Sequence, residues 1–240
     1  MTETIKTTLA ADLATITIDR KEAGNMLTVD LLRDLSAAFR RAATSEAKVI
    51  ALRSSGDDFC RGRDPKGGKP SPTALAMRDN VVTPILDVYD AIAGAPQPIV
   101  CAVQGAALGF GCALATACDI TIAADRARFK LPEMEKDLPP TLAISAMMSR
   151  VPRKALTWLV YAMEEIDAET ALRLGIVSQV VPAAELAAAT DRLIGGLVAR
   201  SREALAAVKE YFRVAPAMEP RGAADYGASL LSAVLSSATR

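Results

Sequence analysis

Residues 103–140 read VQGAALGFGCALATACDITIAADRARFKLPEMEKDLPP. Gly105, Gly109 and Gly111 fall in a segment without a charged residue between Pro98 and Asp119, directly after the apolar run IVCAV. Glycine tolerates backbone conformations that other residues resist, so the pattern predicts a buried strand feeding a tight turn that opens a short helix. The first N–H groups of a helix have no partner within it, and the helix dipole makes that end positive. Such a turn suits a substrate oxygen on which negative charge develops, which is the physical basis of an oxyanion hole.

Working outward, the run GAALGFGCALATACDITIAADRARFKLPE is flanked, in order, by ATITIDRKEAGNMLT and IALRSSGDDFCRGRD before it and DAETALRLGIVSQVVP after it. Together these pieces closely resemble the crotonase, or enoyl-CoA hydratase/isomerase, family, over nearly the whole chain. The resemblance implies an α/β fold, a spiral of ββα units with a C-terminal helical trimerisation region. It divides the chain into a core at 1–182 and a helical region at 183–240. It also implies coenzyme A thioester substrates, with no permanently bound cofactor, and a homotrimer or dimer of trimers. The family usually continues past the point where this sequence stops, with a helix that contributes to the acyl-CoA pocket.

The resemblance carries site roles residue by residue. In FCRGRD, the residue after the glycine, Arg63, supplies one backbone N–H to the thioester oxygen, and Phe110 in LGFGC supplies the other. Arg61 offers its carbonyl to the adenine, with Lys21, Gly62 and Gly109 also placed against coenzyme A. Ala113, Met26 and Leu131 fall on the acyl pocket. The family usually has small residues at the two arginine positions. As guanidinium groups they are either solvated loop side chains or a clamp for a phosphate or a second carboxylate on the acyl group.

Family hydratases hold water between two glutamates, and the matching positions here are Ala113 and Glu133. A methyl group moves no proton, so hydration lacks half its machinery, a loss on the order of 10²–10⁴ in rate. Moving a double bond from C3 to C2 needs one base that takes and returns the same proton. The residues therefore favour isomerisation with Glu133 as the single acid/base. Hydratase, hydrolase or decarboxylase chemistry, and a silent acyl-CoA binder, stay open as alternatives. Glu135 and Asp137 read as surface carboxylates.

The bulk properties agree with a small-molecule partner. The chain has 240 residues, 51% of them hydrophobic, enough for one full core. Lys+Arg and Asp+Glu both total 28, so no basic surface for nucleic acid or an anionic membrane is built in. Histidine is absent, which excludes a histidine triad, and the four cysteines lack metal-ligand spacing. The first residues lack the regions of a signal peptide, and a reducing, cytoplasmic location is expected.

Local patterns complete the reading. LATITI alternates as a strand, Thr28 caps a helix over 29–43, and KVIALRS forms the next strand, giving a right-handed β–α–β crossover. Pro84 is placed to start a helix at Thr83 that presents Ile85, Leu86, Val88, Tyr89 and Ile92 for burial. PKGGKPSP reads as a loop, either a lid over substrate or a surface excursion. Pro152 separates two helices, and amphipathic helices fill the chain from Ala183 onward.

Overall fold

The computed structural model describes residues 4–66 and 72–237, so most of the PKGGKPSP loop, residues 67–71, lies outside the described residues. In chain order the elements are β1 (Ile5–Leu9), β2 (Leu13–Ile18), α1 (Val29–Ala43), β3 (Val49–Ser54), α2 (Ala74–Met77), α3 (Thr83–Gly94) and β4 (Ile99–Val103). There follow β5 (Ala106–Leu108), α4 (Phe110–Ala117), β6 (Ile120–Ala124), β7 (Arg128–Lys130), α5 (Thr141–Met147) and α6 (Arg153–Ala162). The chain closes with β8 (Ile166–Asp167), α7 (Ala168–Arg173), β9 (Gln179–Val181), α8 (Leu186–Val198), α9 (Arg202–Val214) and α10 (Pro220–Ser237).

A six-stranded sheet runs β1-β2-β3-β4-β6-β9, parallel throughout except for the antiparallel β1–β2 pair. Helix α1 makes the expected crossover between parallel β2 and β3, and the Thr28 hydroxyl accepts from the Leu31 N–H at its start. Parallel strands covered on both faces should be apolar throughout, and β4 is buried at every position. Side chains alternate between two cores. Ile50, Leu52, Ile99, Cys101 and Val103 join the main core, whereas Val49, Ala51, Val100 and Ala102 face the other way. Helix α8 covers that second face through Leu186, Ala189 and Ile194. Helix α9 is tied down by buried Lys209, whose Nζ donates to the carbonyls of Ile92 (3.0 Å) and Gln97 (2.9 Å) and pairs with Asp119 at 2.8 Å.

One local expectation is extended and one changes. The helix bearing Pro84 starts at Thr83 as expected. It is entered from α2, capped by Thr73, through a π-helical turn at Arg78–Val82. Such a wider turn changes the local ladder just ahead of a proline that has no N–H to offer it. Strand β4, by contrast, does not feed the glycine turn directly. Strand β5 intervenes and pairs with β7 in a second, three-stranded sheet with β8. Gly105 permits this detour, because a Cβ there would lie 2.0 Å from the Asp57 carbonyl oxygen.

Candidate active site

The site is built beyond the carboxyl ends of β3 and β4, where loops leave a parallel sheet and ligands of such folds bind. The loop after β3 zips onto β5. Phe59 and Cys60 both donate to the Ala106 carbonyl (3.1 and 3.0 Å), and Leu108 donates to the Cys60 carbonyl at 2.9 Å. Gly111 sits against that same carbonyl, whose oxygen would be 2.0 Å from a Cβ at position 111. Gly62, at φ +107°, presses on the other strand end, where a Cβ would meet the Leu108 oxygen at 3.1 Å and the Phe110 nitrogen at 4.0 Å. The two loops singled out in the sequence are thus packed backbone to backbone.

This packing presents two N–H groups. Arg63 bridges Leu27 through its neighbours, since Leu27 donates to the Gly62 carbonyl and Asp64 donates to Leu27, so the N–H of Arg63 itself points away from Leu27. Phe110 is the first residue of α4, where a helix leaves its N–H groups unpaired. Neither N–H has an acceptor among the described residues. Gly109, at φ 53° and ψ −118°, turns the chain between β5 and α4, and its own N–H is taken by the Lys130 carbonyl at 2.8 Å.

Glu133 lies on this turn. Its Oε1 is 2.8 Å from where a Cβ on Gly109 would stand, and its Oε2 is buried without a hydrogen-bond partner. Burial disfavours the charged form and raises the carboxyl pKa above its ordinary value, an effect its own backbone N–H partly offsets. Glu135 and Asp137 are exposed, and Glu135 pairs with Lys130 at 2.5 Å, as suits surface groups. Ala113, one turn along α4, is fully buried and carries no polar group, as is Leu131, while Met26 is half-buried.

The arginines divide. Arg61 is exposed, its stem lies over Gly24, where a Cβ would meet its Cδ at 2.5 Å, and its Nε is a distant 3.9 Å from Asp58. Lys21 shares that surface, since Gly24 donates to the Lys21 carbonyl and accepts from the Arg61 N–H, both at 3.0 Å. The exposed Arg63 side chain has no ion-pair partner among the described residues. Asp64, next to it, is buried and held by Arg20 at 2.8 Å. The Lys66 N–H and then Arg20 keep its carboxyl below the usual range.

Sequence reasoning gave little weight to Tyr89 and Cys112, which share the surroundings of Glu133. The Tyr89 ring stacks on Phe110, with centroids 5.8 Å apart and planes at 21°. Burial, and then the Glu133 charge, push the Cys112 thiol up to about 12. Burial likewise raises Cys60 to about 12, so neither thiol serves as a ready nucleophile. A phenol on the buried face of α3, in step with Ile85 and Ile92, was the available signal for Tyr89.

The enoyl-CoA hydratase/isomerase family model matches residues 8–239. A Rhodobacter capsulatus protein named "Probable enoyl-CoA hydratase" is 34% identical over 215 residues, 87% of this chain and 80% of that one. The short-chain-enoyl-CoA hydratase of Clostridium acetobutylicum is 28% identical, covering 82% of this chain and 76% of that one. Among solved structures, the enoyl-CoA hydratase of Mycobacterium smegmatis superposes with a TM-score of 0.92 at 26% identity, over 97% of this chain and 91% of that one. A Thermobifida fusca structure that contains CoA gives 0.88 at 26% identity, over 98% and 94% of the two chains. With the fold, the two packed loops and the extent of these matches in agreement, the chain belongs to the enoyl-CoA hydratase/isomerase, or crotonase, family.

Proposed function

We propose that the protein shifts a double bond of an acyl-CoA from C3 to C2, through an enolate held by the N–H groups of Arg63 and Phe110, with Glu133 as the single acid/base. The observation that carries this reading is Glu133 Oε2, a buried carboxylate oxygen without a partner, beside the turn that bears the Phe110 N–H. Coenzyme A enters as part of the substrate, and the Arg61 carbonyl, Lys21, Gly62 and Gly109 lie along its path. Proton balance is simple: Glu133 takes the C2 proton as charge moves to the thioester oxygen, then returns it at C4. Two backbone donors aimed at that oxygen stabilise the enolate more than the ketone-like ground state, which is what lowers the barrier.

Ala113 sets the reaction type in this reading. Restoring a carboxylate with Ala113→Glu is expected to raise hydration of a 2-enoyl-CoA relative to isomerisation of a 3-enoyl-CoA by about tenfold or more, toward the scale of a general acid–base group. Steady-state rates on both substrates decide it. A wild type that already hydrates faster than it isomerises would move the assignment to hydratase, the activity for which the two relatives named above are known by name.

The assembly reading is a trimer built through the C-terminal helices. Helix α10 buries no residue within its own chain, and Leu231 and Leu235 on it, with Val208 and Phe212 on α9, are exposed apolar side chains. Sedimentation should give three times the mass of one chain, and a monomer at micromolar concentration would refute it. A cytoplasmic setting accords with four free, buried thiols, and cell fractionation checks it.

A further inference from the structure

The proposed site takes the backbone N–H of Arg63, so its geometry depends on what fixes the chain at 62–64. Leu27 donates to the Gly62 carbonyl at 3.0 Å and accepts from the Asp64 N–H at 2.8 Å, a parallel bridge between the loop and the segment ahead of α1. Two backbone bonds hold a loop weakly, because each replaces a bond to water. The Arg20 side chain spans the same bridge. Its Nη1 donates to the Met26 carbonyl at 2.6 Å and to Asp64 Oδ2 at 2.8 Å, one residue before Leu27 and one after Arg63. The Asp64 side chain is 4% exposed, and its other oxygen accepts from the Lys66 N–H at 2.9 Å, so both carboxylate oxygens are in use. Arg20 is fixed in turn. Its own N–H donates to Asn25 Oδ1, and the fully buried Asn25 donates to the carbonyls of Ser55 and Asp58, all at 2.8 Å, on the loop that leads from β3 to Arg63. Charge-assisted hydrogen bonds are shorter and stronger than neutral ones, so the arginine stiffens the bridge it spans.

We propose that Arg20, acting through Asp64 and the Met26 carbonyl, is a positioning residue that holds the Arg63 N–H where the thioester oxygen becomes an enolate. The inference rests on the reading of the Arg63 and Phe110 N–H groups as the oxyanion hole. The two donors are held differently. Phe110 takes its place from α4 and the Gly109 turn, whereas Arg63 lies in a loop directly after Gly62, at φ +107°. A donor stabilises a developing oxyanion best when it is already aimed, because reorientation at the moment of reaction adds to the barrier. A misplacement of about 1 Å costs on the order of 10² in rate. Coenzyme A is gripped by other contacts, so the loss falls on kcat and not on KM. Arg20 thus serves the reaction without touching the substrate.

The test compares Arg20→Met, which keeps an unbranched stem and removes the donors, with Arg20→Lys, which restores a cationic donor. In Arg20→Met, kcat on a 3-enoyl-CoA is expected to fall about ten- to a hundredfold with KM little changed, and Arg20→Lys should recover most of it. Infrared spectra of bound butyryl-CoA, labelled with carbon-13 at the thioester carbonyl, give a readout that lost stability alone does not move. The wild-type band should lie below that of free butyryl-CoA, because both N–H groups polarise the carbonyl, and Arg20→Met should lose part of that shift at saturating ligand. Wild-type kcat or an unchanged band in a folded Arg20→Met overturns the proposal, as does an Arg20→Lys enzyme no better than Arg20→Met. Should Arg20→Met fail to fold, Asp64→Asn takes its place. An amide has one acceptor oxygen where two are in use, so kcat and the band should move the same way, and no movement overturns the proposal. Failure of the underlying site reading would look different, as butyryl-CoA bound to wild type with no band shift at all.

Discussion

Replacing Glu133 with glutamine is expected to slow turnover by at least about a hundredfold while leaving acyl-CoA binding within a few-fold, because the amide keeps the shape but cannot take a proton. The wild-type rate should rise with pH as Glu133 ionises, with a midpoint above the ordinary carboxylate value, since burial raises its pKa. That limb should vanish in Glu133→Gln. Stability should move the opposite way. A raised folded pKa means the folded chain holds its proton more tightly than the unfolded one, so ionisation costs stability as pH rises from the unfolded toward the folded value, and the cost persists above it. Glu133→Gln should therefore melt at or above the wild-type temperature at pH about 8, with the gap closing at acid pH. Retained turnover would remove Glu133 from the chemistry, and a variant that melts lower at pH about 8 would show that the charged form has a partner.

Gly109→Val and Gly111→Val are each expected to abolish turnover, for different steric reasons. At 109 the backbone adopts φ 53° and ψ −118°, and a Cβ would stand 2.8 Å from Glu133 Oε1, so a side chain both strains the turn and displaces the carboxylate. At 111 a Cβ would stand 2.0 Å from the Cys60 carbonyl oxygen, a backbone atom that cannot swing aside. The loop carrying Arg63 must then separate from the turn carrying Phe110, and the two N–H groups no longer converge. Arg63→Ala, which keeps the backbone, serves as the control that should retain the thioester contact. Isothermal titration with a non-reacting acyl-CoA, beside a thermal melt, separates loss of the site from loss of the fold. Full activity in both glycine variants would refute the role given to these two loops.

Elements whose signals are local, and the family whose motifs are ordered along the chain, were legible in the order of residues alone. Alternation in LATITI, the Thr28 cap, the continuously apolar IVCAV and the break at Pro152 all act within a few residues, so each was readable where it stood. The motif positions of Glu133, Ala113, Arg63 and Phe110 were legible for the same reason. Strands β5, β7 and β8 were not, because strands of two or three residues exist only by pairing with one another across some sixty residues of chain. The π-helical entry to Pro84 was hidden because a proline marks a helix start as readily as it marks a local change of ladder. What surrounds Glu133 was not legible in the sequence, because it depends on packing between distant segments. The groups that meet or sense the carboxyl are Gly109, Tyr89 and Cys112, delivered by a turn and two helices distant in sequence. Periodicity could place Tyr89 on a buried face, but not say that its ring would stack on Phe110. That depends on which side chains the fold brings opposite it, a property of packing in three dimensions.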